Sequence, residues 1–142
     1  MNYKKAPYYE LYMPRLKEIF AQDWDFIAEL DMVLIEQLCK WLEIGTPLVR
    51  SSSLTVAGDR NSKLVNLCKA FNCQTYFSGA AAQDYLDQDL FKGEGIQVEW
   101  QDFKHPVYQQ MHGEFIPFLS VLDLLLNCGP ESKELFCTNQ PE

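Results

Sequence analysis

The two histidines of the chain, His105 and His112, stand close together in "HPVYQQMHGEF", with Tyr108 between them and Glu114 just beyond. Two imidazoles in one short segment raise two chemistries, metal ligation and proton transfer. A zinc site takes about three protein ligands or more, and no cysteine or carboxylate stands at a recognised ligand spacing from either ring. Pro106 disfavours helical backbone at His105, so the two rings have no helical face to share. The pattern therefore assigns no metal site and no cofactor. Proton transfer remains, because an imidazole titrates near neutrality and His105 follows a segment that reads as the end of a strand. His105 is the expected acid–base residue, Tyr108 a ligand-contacting neighbour and His112 a bystander.

Other polar groups are nominated by position. In open parallel α/β sheets, ligands bind outside the carboxyl ends of the strands, which singles out Ser51–Ser53, Ser78–Gly79 and Asp102–His105. "SGAAAQDYL" has the form of a small turn leading into a helix, whose backbone N–H groups suit a phosphate or carboxylate. It reads equally as a plain βα turn, since neither a Walker loop nor Gly-x-Gly-x-x-Gly is present. Ser52 and its neighbours fit a ligand contact and fit local backbone capping better. No Gly-x-Ser-x-Gly elbow surrounds any serine, so nucleophilic hydrolysis has no support. Arg50 suits a carboxylate or phosphate and suits a surface ion pair as well. Asp84, Asp87 and Asp89 read as a solvated helical face, whereas Asp102 alternates onto the side of Trp100, the half-buried setting that shifts a carboxyl pKa.

The elements that must position these groups follow from periodicity. Leu16, Ile19 and Phe20 mark a first helix, with Pro14 starting or kinking it. Ile27, Leu30, Leu34, Leu38, Trp41 and Leu42 form one apolar stripe of a second, with Gly45 and Pro47 at its stop. The rhythm then changes. "PLVRSSS", "QTYFSG" and "IQVEWQDF" read as short strands, separated by the helical segments "RNSKLVNLCKAF" and "AAAQDYLDQDLF". Alternation of this kind predicts an α/β fold with a small, mostly parallel sheet of about three strands and flanking helices. "SVLDLLLNCG" is a last helix, opened by a capping box from Ser120 to Asp123 and closed at Gly129–Pro130. The expected layout is a single α/β domain over 1–130, helical in 1–45 and βαβαβ-α in 46–130, with 131–142 a flexible tail. Both edges of so small a sheet present unpaired backbone unless something extends them.

Composition narrows the partners. A chain of 142 residues that is 47% hydrophobic can bury a core without staples. The net charge of −8 and the lack of any Lys/Arg cluster argue against nucleic acid. No apolar run approaches the ~20 residues of a membrane span, and the charged, proline-bearing N-terminus has no signal-peptide core. The five cysteines include no Cys-x-x-Cys pair. They read as reduced, structural thiols of a cytoplasmic protein.

Four segments, "KKAPYYE", "GTPLVRSSSL", "LCKAFNCQTYFSGAAAQDYLD" and "GIQVEWQDFKHPVYQQMHGEFIPFLSVLDLLLNCGP", taken in this order and spacing, resemble the WbqC-like protein family of bacteria. The resemblance covers Tyr3 to Pro130. It implies a role in biosynthesis of O-antigen or other surface polysaccharide, as a transferase acting on an activated sugar or an acyl or aminoacyl donor, with a nucleotide-sugar or other small molecule as substrate. A non-catalytic remnant or interaction module is the alternative. The positions that match the family are Ser52, Ser78, Gly79, Tyr85, His105, Tyr108 and Asn127, of which Asn127 and Tyr85 are expected to be structural, a helix terminus and a packing aromatic. Ala82 stands where some relatives carry a second glycine, which weakens a phosphate role for the Ser78–Gly79 loop. Members of the family begin with a strand and a His-Gln-Pro motif that this chain lacks. The resemblance thus implies the C-terminal part of such a protein, whose partner is a separately encoded N-terminal half or a second copy of the chain.

Overall fold

A computed structural model describes residues 3–138. The chain divides into two compact units, one formed by Met1–Thr46 with Lys104–Glu142 and the other by Pro47–Phe103. The first boundary falls where the sequence turns from helical to alternating strands and helices.

The first unit is helical. Helix α1 (Tyr9–Phe20) buries Tyr9, Tyr12, Leu16 and Ile19, one stripe at 3- and 4-residue steps. It runs through Pro14 without interruption, so the proline marks neither a start nor an end. Helix α2 (Ile27–Trp41) lays Trp41 edge-on against Tyr12, with ring centroids 4.9 Å apart. Its stop lies two residues earlier than Gly45. Ile44 N–H donates to the Cys39 carbonyl at 2.8 Å and Glu43 N–H to that of Lys40 at 3.3 Å, a Schellman motif with Glu43 at φ 53°. Lys133 Nζ meets the Glu43 carboxylate at the surface, 2.5 Å away.

Helix α5 (Val121–Cys128) belongs to this unit, not to the strands that precede it in sequence. The reason is its apolar face: Leu125 and Leu126 join Ala6, Tyr9, Tyr12 and Leu42 in one core. It closes at Gly129, as its sequence predicts, at φ 61°. A Cβ there would run into the ring of Tyr8, so backbone conformation and space both demand glycine. Of residues 131–142, Ser132–Thr138 form helix α6. Ser132 is buried and donates to the Leu124 carbonyl. The remainder of the expected tail, 139–142, lies outside the described residues.

The second unit is α/β. Helix α3 (Arg60–Ala70) opens with a capping box in which Ser62 N–H donates to the Asp59 carboxylate and Asp59 N–H to the Ser62 hydroxyl, both at 2.9 Å. Strands β1 (Thr75–Gly79) and β2 (Gln97–Gln101) pair in parallel, Thr75 opposite Gln97 and Ser78 opposite Trp100. The α/β class and parallel pairing match the sequence reading, but the sheet among the described residues has two strands, not about three. The missing one is "PLVRSSS". Leu48 and Val49 form no strand, are both exposed, and lead into a 3-10 turn at Ser51–Ser53.

The segment between the strands also differs from a single helix. Ala80–Asp84 make a 3-10 turn, and helix α4 (Gln88–Gly93) starts afresh where the Asp87 carboxylate accepts Leu90 N–H at 3.1 Å. Asp87 is thus a helix cap, not part of a continuous solvated face. Val65, Cys68, Leu86, Phe91 and Ile96 form the core, which the inward Tyr76, Val98 and Trp100 of the strands complete. The outer face carries Phe77, 62% exposed. No helix among the described residues is long and apolar enough to cross a membrane.

Candidate functional site

The helical unit contains a buried polar network that the periodicity of its helices does not announce. Asp123, in the first turn of α5, is only 4% exposed. Its Oδ2 accepts the Tyr108 hydroxyl at 2.8 Å and Gln110 Nε2 at 3.0 Å. Its Oδ1 accepts Asn127 Nδ2 at 3.2 Å, and the same amide donates to the Asp123 carbonyl one turn back at 2.7 Å. Tyr3 lies close enough for the carboxylate to raise its hydroxyl pKa, after burial. Ser120 caps the helix by accepting Leu122 N–H. Asp123, expected to complete a capping box, instead turns its carboxylate inward to Tyr108 and Gln110. Asn127 is structural, as the family pattern implies, and it is structural through this carboxylate.

Gln110 ties the network to the loop beyond it. Its Oε1 accepts Ile116 N–H at 2.8 Å and its Nε2 donates to the Ile116 carbonyl at 2.9 Å. A side-chain amide here copies the pairing of a backbone strand and closes the loop from Met111 to Phe115, with Gly113 at φ 64° at its tip. A cavity of about 170 Å³ opens beside this staple. Met111, Ile116 and Leu119 give it apolar wall, and Tyr3, Gln110, His112 and Asp123 give it polar wall.

His105 is half-buried among aromatic rings: Phe118 at 5.4 Å, Phe115 at 5.6 Å and Tyr108 at 6.2 Å between centroids. The Tyr108 ring lies nearly parallel to the imidazole. His105 Nδ1 is 2.8 Å from the Pro106 carbonyl. A carbonyl only accepts, so Nδ1 carries a proton. Phe118 is 79% exposed and sits at φ 60°, an uncommon backbone state for an aromatic residue.

Electrostatics follow burial. Desolvation first, and then the hydrogen bond to Asp123, push the Tyr108 hydroxyl well above the ordinary tyrosine value. Burial first, and then the Asp123 carboxylate, raise Tyr3 as well. Burial also raises the Cys128 thiol, with Glu131 and Asp123 adding to it. Tyr108 therefore keeps its proton and donates it to the carboxylate.

The residues singled out in the sequence separate accordingly. His105 and Tyr108 come together in the helical unit. Ser52, Ser78 and Gly79 belong to the other unit. Ser52 is exposed in its 3-10 turn, beside Ser53, whose hydroxyl donates to the Arg50 carbonyl. Ser78 is half-buried on the inner face of β1, and Gly79 ends the strand in extended backbone at φ −65°. Asp102 lies past the end of β2 and is exposed, so the half-buried setting expected beside Trp100 is absent. Tyr85 packs less than expected, with the Arg60 guanidinium 3.8 Å over an exposed ring. Among the described residues, no three His, Cys, Asp or Glu side chains converge as metal ligands do. Sequence reasoning missed Asp123 and Gln110. The available signal was a lone acid inside the apolar run Val121–Leu126, with an amide four residues on at Asn127.

Comparison with known proteins gives the lineage. The chain is 31% identical over 135 residues to the uncharacterized protein Rv1507c of Mycobacterium tuberculosis. The match takes in 94% of this chain and 58% of the relative, so the chain spans little more than half the relative's length. No solved structure matches it. The model of the WbqC-like protein family matches residues 1–135, nearly the whole chain, and this protein belongs to that family.

Proposed function

We propose that this chain takes part in bacterial surface-polysaccharide biosynthesis, as a transferase acting on an activated sugar. The resemblance drawn from its sequence implies such a role, and one observation favours placing the chemistry in the helical unit. His105 is held among three aromatic rings, with its Nδ1 donating to the Pro106 carbonyl. Aromatic faces are apolar platforms that pack against a sugar ring, and a neutral imidazole beside them accepts a proton from an attacking group. His105 is the acid–base residue and Tyr108 its ligand-contacting neighbour. Ser52, Ser78 and Gly79 are separate ligand contacts of the sheet unit.

The test is thermal unfolding with a panel of nucleotide-sugars, since a ligand bound by the folded state alone must raise Tm. The expected result is a concentration-dependent rise for at least one of them. In His105→Gln that rise persists while transfer to an acceptor falls by about 100-fold or more. A panel that leaves Tm unmoved at millimolar ligand removes the sugar-site reading.

A second reading is favoured by the sheet unit. With two strands, both are edges, and Phe77 is exposed on the outer face. Open edges pair with other chains, so a non-catalytic interaction module that binds a second copy or another protein is the competing account. Light scattering across a concentration series separates the two. An unchanging monomer mass at high concentration sinks self-association.

A further inference from the structure

The carboxylate of Asp123 is buried, yet among the described residues every side chain that donates to it is neutral: the Tyr108 hydroxyl and the amides of Gln110 and Asn127. Neutral donors solvate a charge without cancelling it. Buried charges in proteins are ordinarily paired with an opposite charge, because an isolated one is expensive to desolvate. The uncancelled field is felt locally, and it contributes to the upward shifts of Tyr3, Tyr108 and Cys128.

The same carboxylate forms part of the wall of the 170 Å³ cavity, which Gln110 and His112 line with it. Neither Lys nor Arg stands among the lining residues. Such a cavity rejects phosphate and attracts a cation. Met111, Ile116 and Leu119 opposite supply apolar surface for a compact carbon skeleton.

We propose that this cavity binds a primary amine, its ammonium set against Asp123 and its ring against Met111, Ile116 and Leu119, and that the amine is an amino sugar. The amino-sugar part rests on the polysaccharide reading given above; the ammonium part rests on Asp123 and the cavity alone. The nucleotide of an activated donor then has no place in this cavity, which holds instead the sugar bearing the amine.

The experiment uses the full chain and its two histidines as reporters, with glucosamine, glucose, N-acetylglucosamine and cyclohexylamine titrated in turn. Glucosamine is expected to shift the His112 ring signals and to bind at least tenfold more tightly than glucose or N-acetylglucosamine. Asp123→Asn removes that preference. Because Asp123 also holds the fold, Leu119→Trp serves as the second variant; it fills the cavity from the surface side and abolishes binding in a folded protein. Cyclohexylamine binding as tightly as glucosamine keeps the ammonium site and removes the sugar. Equal binding of all three sugars, unchanged in Asp123→Asn, overturns the ammonium site and leaves the polysaccharide reading standing. Binding of no amine, or binding that survives Leu119→Trp, overturns the inference.

Discussion

The two units manage polar groups in opposite ways. In the sheet unit, polar side chains work at the surface: Asp59 and Asp87 cap helices, and Lys69 pairs with Glu94 at 2.5 Å between half-exposed side chains. Its interior is apolar apart from half-buried Ser78 and the tips of Tyr76 and Trp100. The helical unit instead carries a carboxylate into its core and surrounds it with donors from the loop and the helix. Buried polar networks confer little net stability and demand complete satisfaction. The capping in the sheet unit explains itself as structure, whereas the Asp123 network asks for a further reason. Its geometry offers two: it sets the Tyr108 ring against His105, and it gives a cavity a charged wall.

The comparison is broken most severely at its centre. Asp123→Ala strands the Tyr108 hydroxyl and leaves the Gln110 and Asn127 amides with their backbone acceptors alone, and a loss of about 3 kcal/mol in urea unfolding is expected. A loss below about 1 kcal/mol would make the network ornamental. Tyr108→Phe keeps the ring against His105 and removes one donor from a charged acceptor, for an expected loss of about 2 kcal/mol. This variant also carries a pH signature. The folded state holds the Tyr108 proton more tightly than the unfolded chain, whose value is near 10.0. Its contribution is complete below that pH and is lost as pH rises toward the higher folded value. Wild-type Tm should therefore fall more steeply than that of Tyr108→Phe in alkaline solution, and parallel curves would contradict the assignment.

Smaller effects test the surface chemistry. Ser62 holds the Asp59 carboxyl below its usual range, and Lys133 does the same to Glu43. Depressed carboxyl values contribute stability above the unfolded pKa and lose it as pH falls through the folded one. Both groups are exposed, so Asp59→Asn and Glu43→Gln should each flatten the acid limb of the Tm profile slightly, and salt should erase the Glu43 effect first. Phe77→Thr, on the open face of the sheet unit, should change monomer stability by no more than about 0.5 kcal/mol. Its readout is association, which it should weaken if that face pairs with another chain.

What the sequence revealed followed periodicity. The stripe in α2, the alternation that makes an α/β fold, the stop at Gly129 and the aromatic neighbourhood of His105 are all local patterns. What it concealed depended on partners distant in sequence. Leu48 and Val49 have strand chemistry, but a strand exists only where another chain segment accepts its hydrogen bonds. Glu43 takes the positive-φ position that ends α2 ahead of Gly45, and its carboxylate meets Lys133, far along the chain, at the surface. Ser120 and Asp123 have the spacing of a capping box, and only the tertiary arrival of Tyr108 and Gln110 turns that carboxylate inward. The segment that brings His105 and Tyr108 together was legible; the carboxylate that accepts the Tyr108 hydroxyl was not.

One measurement tests most directly whether the chemistry lies in the helical unit. The chain has two histidines, so its imidazole spectrum is simple, and Ser78 and Gly79 report on the sheet unit through their backbone amides. Sugar ligands, amino sugars and nucleotide-sugars alike, should move the His105 or His112 ring signals, whether or not those two amides respond with them. Shifts at Ser78 and Gly79 with both imidazoles silent would contradict the account.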